Sequence, residues 1–233
     1  MARDDPFGQA RSVLDEAGLN LLGVLSVDRY DAEVPAAWRA AVVLPGAASA
    51  VLVGAGGTAL FAALRRAPEA RLARDPLDHY TRRHAEAAAE RLAGRALFAF
   101  EQRGERYADF VALGRAAGLG APSRLGLLLH PEYGPWLSLR TLLLIPQALP
   151  ETEALDGFDP CRGCPAPCAQ ACPGAALASG RFDVGRCAAT RRREPGCGLR
   201  CDARRACVVG AAQRYDELAE AHHMRHAALD NFP

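Results

Sequence analysis

All eight cysteines of this 233-residue chain lie between Cys161 and Cys207, and the 160 residues before them contain none. The first four follow the pattern C-x-x-C-x-x-x-C-x-x-x-C-P and end at Cys172. A very similar run, C-x-x-C-x-x-C-x-x-x-C-P, binds cubane iron–sulfur clusters in two-cluster ferredoxins. The cysteine segment has few large apolar side chains, so metal has to take the place of a packed core. The chain is therefore predicted to contain a small domain built around two clusters.

The eight thiols divide into two sets of four if the crossed ligation of two-cluster ferredoxins applies, in which the fourth cysteine of a run binds the other cluster. Cys172 then joins the second set, and a late cysteine, predicted to be Cys207, completes the first. The sequence leaves open which late cysteine completes which cluster. The first predicted set is Cys161, Cys164, Cys168 and Cys207. The second predicted set is Cys172, Cys187, Cys197 and Cys201.

Two other uses of the cysteines are open from the sequence. Paired zinc sites also take eight thiolates, but they favour separated C-x-x-C pairs over four cysteines within twelve residues. Disulfides need an oxidising compartment, and residues 1–5 lack the basic and then apolar pattern of a signal peptide. We therefore expect a cytoplasmic protein in which metal binding is preferred over disulfides.

The cysteine segment is also basic. Residues 161–207 contain nine arginines and three acids, a local balance of +6, whereas the whole chain has a net charge of +1. Clusters held by thiolates are anionic, and nearby guanidinium groups raise their reduction potential. A basic surface also suits the docking of an acidic redox partner protein. The overall charge gives no indication of binding to nucleic acid or to a membrane.

The remainder of the chain mixes predicted helices and strands without a regular βαβ rhythm, which indicates an α+β fold. An apolar run at 49–53 predicts a buried strand. A charge-free stretch at 40–64 exceeds the ~20 residues that span a bilayer. Its proline and glycines break it into short pieces, so a strand, a turn and a helix are predicted there instead of a membrane span. A linker rich in proline and acids then separates a domain at 1–150 from a cluster domain with a C-terminal helix at 155–233.

Residues 116–140 read AAGLGAPSRLGLLLHPEYGPWLSLR. This segment resembles the A-G-L-G loop and the H-P-x-Y-G-S-W segment of the epoxyqueuosine reductase superfamily, and Cys187 stands where that family places its isolated cluster cysteine. The resemblance extends over nearly the whole chain but is good only around 116–140 and 161–187. It implies a nitroreductase-like α/β sandwich followed by a small ferredoxin-like domain with two 4Fe–4S clusters.

The same resemblance implies a cobalamin in the first domain, reduced by the adjacent cluster, which acts on an epoxide of a tRNA base. The residues that it places near this cofactor are Gly118, Gly120, His130, Tyr133 and Trp136.

The chain departs from this family at the acid that the family's reaction uses. Aligning on Ala117 places Gly104 where the family's V-D-S motif has its aspartate, and Glu105 is the candidate replacement. Arg124 matches the family's lysine and retains only its charge. The chain also ends before the helical-repeat region of longer members, so tRNA is not expected as a partner. An oxidoreductase is favoured, but epoxyqueuosine reductase activity itself is not.

Three functions follow from these patterns. In the first, two clusters pass electrons to a corrinoid or another organic cofactor in the N-terminal domain. In the second, the chain is a non-catalytic electron-transfer module for a partner enzyme. The retained A-G-L-G and H-P-E-Y-G segments favour the first function, and the missing aspartate favours the second. The third is a zinc-stabilised interaction protein.

Overall fold

A computed structural model describes residues 5–101 and 108–225 of the chain. Helices and strands are mixed along the sequence, as predicted. The helices are α1 (Pro6–Glu16), α2 (Val27–Glu33), α3 (Ala40–Val43), α4 (Ala59–Leu64), α5 (Pro76–Arg91), α6 (Phe110–Ala116), α7 (Pro167–Ala171), α8 (Val184–Arg193), α9 (Asp202–Arg205) and α10 (Glu217–Arg225). The strands are β1 (Leu21–Ser26), β2 (Ser49–Gly56), β3 (Arg95–Phe98), β4 (Ala121–Pro122), β5 (Leu128–Leu129) and β6 (Leu137–Ile145).

The chain forms two compact units, and neither is continuous in sequence. The first unit consists of the residues up to 119 together with 138–155, and the second consists of 120–137 together with the residues from 156 onward. Each unit has its own elements and its own buried residues.

The structure differs from the predicted boundaries, 1–150 and 155–233, at one segment. Residues 120–137 pack with the cysteine segment instead of with the domain that precedes and follows them in sequence. The reason is hydrophobic burial, because Leu125 and Leu129 from this segment enter the core that surrounds the cysteines. The cysteine segment lacks enough large apolar side chains to bury its own interior, and these leucines supply part of it.

The first unit contains a four-stranded sheet with the order β1-β2-β6-β3. β1 pairs with β2 in antiparallel fashion, with Leu21 opposite Gly54, and β3 pairs with β6 in the same fashion. All eight residues of β2 are buried, as the unbroken apolar run predicts for an inner strand. The strand predicted at 49–53 is confirmed and extends to Gly56.

The charge-free stretch at 40–64 folds as α3, β2 and α4, which confirms the predicted broken pattern. The turn between β2 and α4 contains Gly57, whose φ of +63° is accessible to glycine without strain. Over residues 5–101 and 108–225, the structure contains no helix that is both long enough and apolar enough to cross a membrane.

The second unit is built from short elements, and its helices α8 and α10 have ten and nine residues. Its two short strands, β4 and β5, pair in antiparallel fashion, and α7 and α9 have only five and four residues. One of its buried apolar clusters consists of Leu125, Leu129, Cys168, Leu177 and Ala203, against which other cysteines pack. A core with so many thiols is what a domain that folds around its ligands requires.

Candidate metal centres

Four cysteines line each of two cavities in the second unit. The cysteines of the first cavity are Cys161, Cys164, Cys168 and Cys207. The cysteines of the second cavity are Cys172, Cys187, Cys197 and Cys201. The cavities therefore divide the thiols in the same way as the crossed ligation pattern. All eight cysteines are free of disulfides, so every thiol is available as a ligand.

Two prolines direct the first cysteine run toward both cavities. α7 begins at Pro167, where its fixed φ suits the first helical turn, and Ala166 before it has a left-handed φ of +55°. This turn buries Cys168 against the first cavity. Cys172 ends the helix with extended backbone and is followed by Pro173, which cannot continue a helix. The chain therefore turns away at this point, and Cys172 lines the second cavity.

Helix α8 organises the second cavity. Asp183 caps its N-terminus by accepting a hydrogen bond from the amide of Arg186 at 2.9 Å. Cys187 lies within the helix, and the hydroxyl of Thr190 donates to the carbonyl of Arg186 at 2.8 Å. A Cβ on Gly174 would lie 2.0 Å from Oγ1 of Thr190, so the segment that follows the first cysteine run packs on α8 only as glycine.

Backbone amides point at two sulfurs of the second cavity. The amide of Ala176 donates to Sγ of Cys172 at 3.4 Å, and the amide of Arg204 donates to Sγ of Cys201 at 3.4 Å. Hydrogen bonds of this kind stabilise negative charge on the sulfur and tune the potential of a metal that it binds.

A buried carboxylate fixes the backbone beside the same cavity. Glu220 on α10 is 1% exposed, and its Oε1 accepts a hydrogen bond from the amide of Cys201 at 3.1 Å. Its Oε2 pairs with Arg205 at 2.7 Å. The pair holds α10 against the cysteine segment and neutralises the buried charge of the carboxylate.

The thiols are suited to binding metal more than to acting as nucleophiles. Burial raises the pKa of five of them above its ordinary value, so these thiols are protonated at neutral pH in the absence of metal. They are Cys168, Cys187, Cys197, Cys201 and Cys207. Binding of metal requires thiolates and therefore releases these protons. A reactive cysteine needs the opposite shift, toward a low pKa in an electropositive and accessible position.

The two cavities differ in what surrounds their cysteines. The first is lined mainly by apolar side chains, among them Leu125 and Leu129, with Arg124 at its edge. The lining of the second includes Arg191, Arg200 and Asp202 as well as Pro173, Ala203 and Met224. Arg124, predicted from the family's lysine position, thus lies at the first cavity. Arg191 was not predicted individually, although its position one helical turn after a cysteine places both on one face.

The donor sets fit metal clusters. Among the described residues, no three His, Cys, Asp or Glu side chains converge closely enough to hold a single metal ion. Each set of four thiols instead lines one cavity. A cubane cluster takes one thiolate at each of its four irons, which matches four thiols around one cavity.

Two residues predicted to lie near a cofactor, His130 and Tyr133, lie in one turn of the second unit. Their ring centroids are 5.0 Å apart, and Nδ1 of His130 accepts hydrogen bonds from the amides of Glu132 at 3.1 Å and Tyr133 at 3.3 Å. Burial lowers the pKa of His130, which keeps the imidazole neutral and able to accept. His130 therefore has a structural role in closing this turn.

Trp136, also predicted near the cofactor, is wholly buried in the second unit. The guanidinium of Arg204 lies 4.7 Å from the centroid of its ring, and the ring of Tyr215 is 5.5 Å away. Nε of Arg204 also donates to the carbonyl of Pro135 at 3.1 Å. The indole is thus covered by the chain's own side chains.

The two predicted glycines belong to different units and provide close backbone approaches. A Cβ on Gly118 (φ +68°) would lie 2.3 Å from the carbonyl oxygen of Glu153. A Cβ on Gly120 would lie 2.4 Å from the carbonyl oxygen of Leu129. The five residues predicted near a cofactor line neither cysteine cavity. The candidate acid Glu105 lies outside the described residues.

Comparison with known proteins identifies the fold. No protein-family model and no curated protein matches the sequence. Epoxyqueuosine reductase from Streptococcus thermophilus matches with a TM-score of 0.54 at 14% identity, over 87% of this chain and 65% of that chain. The chain has an epoxyqueuosine reductase-like fold. The predicted fold class, with its nitroreductase-like component, is thereby confirmed.

Two further structures share this epoxyqueuosine reductase-like fold. The B12-trafficking protein CblC from C. elegans has a TM-score of 0.56 at 14% identity, over 96% of this chain and 93% of that chain. A reductive dehalogenase described in connection with B12-dependent dehalogenation has a TM-score of 0.51 at 15% identity, over 98% of this chain and 37% of that chain. The chain spans about two thirds of the length of the Streptococcus thermophilus enzyme and just over a third of the dehalogenase.

Proposed function

We propose that this chain is an iron–sulfur redox protein that carries two 4Fe–4S clusters, one in each cysteine-lined cavity. The observation that supports this most strongly is the division of eight free thiols between two cavities, four to each. Each cubane cluster requires four thiolates and supplies one-electron transfer when bound. Two clusters in one small unit suit the passage of electrons between a redox partner protein and an acceptor.

The chain's own residues would set the environment of each cluster. Around the first cavity, Leu125, Leu129 and Val209 provide an apolar lining. Around the second, the amides of Ala176 and Arg204 donate to cysteine sulfurs. Solvent exclusion and hydrogen bonds to sulfur are two of the main ways in which a protein tunes a cluster's potential.

The zinc-stabilised alternative is less well supported. A structural zinc ion draws its four thiolates to about 2.3 Å from one point. Among the described residues, no three His, Cys, Asp or Glu side chains converge closely enough to hold one such ion.

Anaerobic purification with metal and sulfide analysis tests the proposal. We expect about eight iron and about eight acid-labile sulfide per chain. Stoichiometric zinc without sulfide would refute the proposal.

Substituting one cysteine of each cavity tests the assignment of ligands. Cys207→Ser and Cys201→Ser should each lose one cluster, and the two remaining clusters should differ in their electron paramagnetic resonance (EPR) spectra. Identical spectra, or full clusters in both variants, would contradict the assignment.

A corrinoid in the first unit is a second candidate component, and the fold likeness to two B12-related proteins favours it. The predicted pocket residues offer little further support. The space beside Gly118 and Gly120 is occupied by backbone atoms of the chain, and Trp136 is covered by other side chains of the chain. We therefore derive no catalytic step through a corrinoid. If one binds, the chain is an oxidoreductase whose clusters reduce it; if none binds, the chain is an electron-transfer module for a partner enzyme.

Retention of cobalamin through gel filtration distinguishes these two roles. The oxidoreductase role predicts that cobalamin elutes with the protein and that its visible spectrum differs from that of the free cofactor. Elution of cobalamin separately from micromolar protein would favour the electron-transfer module. Neither result affects the cluster proposal, which metal and sulfide analysis tests independently.

A further inference from the structure

An arginine lines the second cavity, and part of its guanidinium is unsatisfied. Arg191 lies on α8, one turn after Cys187, and lines the cavity. Its Nη2 donates to the carbonyl of Met224. Its Nη1 is buried and has no hydrogen-bond partner in the parts of the chain that the structure describes. A buried donor of a charged group left without an acceptor is strongly unfavourable.

The acid in the cavity lining and the acid at the start of α8 are paired with other arginines, and Glu194, three residues after Arg191, is exposed. Asp202, which also lines the cavity, pairs with Arg200 at 2.9 Å. Asp183 at the start of α8 pairs with Arg186 at 3.4 Å and caps the helix. An anionic group inside the cavity is the acceptor that would satisfy Nη1.

We infer that Arg191 is the counter-charge of the second cluster: Nη1 donates to a cluster sulfur and raises the cluster's reduction potential. This inference rests on the proposed function. Reduction adds one electron, supplied by an external one-electron donor, and makes the cluster more negative by one charge without forming or breaking a bond. A buried positive charge stabilises the reduced cluster more than the oxidised one, because the interaction grows with the negative charge.

Arg191 should act on one cluster only. It lines the second cavity and not the first, whose charged lining residue is Arg124. Its neighbour Arg192 on the same helix is exposed, so water and salt screen its charge. Arg192→Met therefore removes the same formal charge as Arg191→Met and serves as the matched control.

The test is an anaerobic reductive titration of the full-length protein with dithionite, followed by EPR. In Arg191→Met, the ratio of reduced to oxidised second cluster at a fixed potential should fall at least tenfold, a shift of about 59 mV for a one-electron couple. The first cluster should stay within twofold of the wild type. In Arg192→Met, both clusters should stay within twofold. A second cluster that stays within twofold in Arg191→Met, or an equal shift in Arg192→Met, would overturn the inference.

A second variant guards against loss of the fold. Arg191→Gln removes the charge but keeps a polar side chain with N–H donors, so it is expected to disturb the packing of α8 less than methionine does. We expect its ratio to fall at least threefold, and an unchanged ratio would overturn the inference even if Arg191→Met loses the cluster. Metal and sulfide analysis of the wild type distinguishes failure of the proposed function from failure of the inference about Arg191. Absence of clusters there refutes the proposed function, whereas intact clusters with unshifted potentials refute only the role of Arg191.

Discussion

Arg204 joins three parts of the second unit through a single side chain. It is 7% exposed, its guanidinium lies 4.7 Å from the ring centroid of Trp136 and 4.8 Å from that of Tyr215, and it donates to the carbonyl of Pro135. Its own amide donates to Sγ of Cys201. Arg204 therefore packs on two aromatic rings, closes a turn and supports a proposed cluster ligand.

Arg204→Lys should destabilise the second unit by about 3 kcal/mol, because a lysine keeps the charge but loses the planar stacking and the two-pronged hydrogen bond. Chemical denaturation followed by tryptophan fluorescence measures this effect, since Trp136 lies under the guanidinium. The control is Arg200→Lys, whose exposed pair with Asp202 should be worth about 0–1 kcal/mol. Equal stability of the two variants would show that the stacked arrangement contributes nothing.

For single residues, the sequence predicts the cysteine ligands better than it predicts the side chains that hold them in place. The thiols could be grouped because their spacing is local and their chemistry is specific. Arg204 and the carbonyl that it binds are separated by 69 residues, and no local pattern relates them. Glu220 likewise reads as one acid among others on a polar helix until the fold places it beside Cys201.

The segment at 120–137 packs with a part of the chain that is distant in sequence, and not with the residues that flank it. Two glycines make its contact with the end of the cysteine segment. A Cβ on Gly134 would lie 2.1 Å from the carbonyl oxygen of Val209, and a Cβ on Gly210 would lie 2.3 Å from the carbonyl carbon of Tyr133. Both glycines have left-handed φ, +54° and +63°. The two turns therefore approach each other directly, backbone against backbone.

Gly134→Ala should destabilise the second unit by about 3 kcal/mol, through left-handed backbone strain and overpacking. Because Val209 lines the first cavity, the first cluster should be lost before the second. Denaturation and iron content per chain measure the two effects. Gly157→Ala is the matched control: its φ is also left-handed, +76°, but no atom lies within 4 Å of its Cβ. It should cost only about 1 kcal/mol and retain all the iron. Equal losses in both variants would attribute the effect to the backbone alone.

Some elements of the fold can be predicted from the sequence alone. β2 was predicted because an unbroken apolar run fits an inner strand, and all its residues are buried. The difference between the predicted boundaries and the two units of the structure at 120–137 has a physical cause. Because the chain is continuous, the segment was expected to pack with the residues that precede and follow it. It packs with the cysteine segment instead, which has few apolar side chains of its own. The sequence shows this shortage of apolar side chains but does not show which segment supplies them.

At the scale of the whole molecule, the two units have different kinds of core. The first buries aliphatic and aromatic side chains around a sheet, including every residue of β2. The second buries an apolar cluster among thiols, beside the aromatic pair of Trp136 and Tyr215. A thiol-lined cavity stabilises a fold only when it is filled, because binding of metal to the folded state alone adds its free energy to folding. The two units should therefore respond differently to loss of metal.

Removal of metal by a chelator under oxidising conditions should loosen the second unit and leave the first largely intact. Hydrogen exchange read by mass spectrometry measures this segment by segment. Amides in 156–225 should lose at least about tenfold of their protection, while amides in β2 keep theirs. Residues 120–137 provide the sharpest part of the test, because first-unit segments precede and follow them in sequence. If they lose protection together with the cysteine segment, the discontinuous unit is supported. If they stay protected like β2 while 156–225 open, the segment belongs with the first unit and the predicted boundary at 150 is restored.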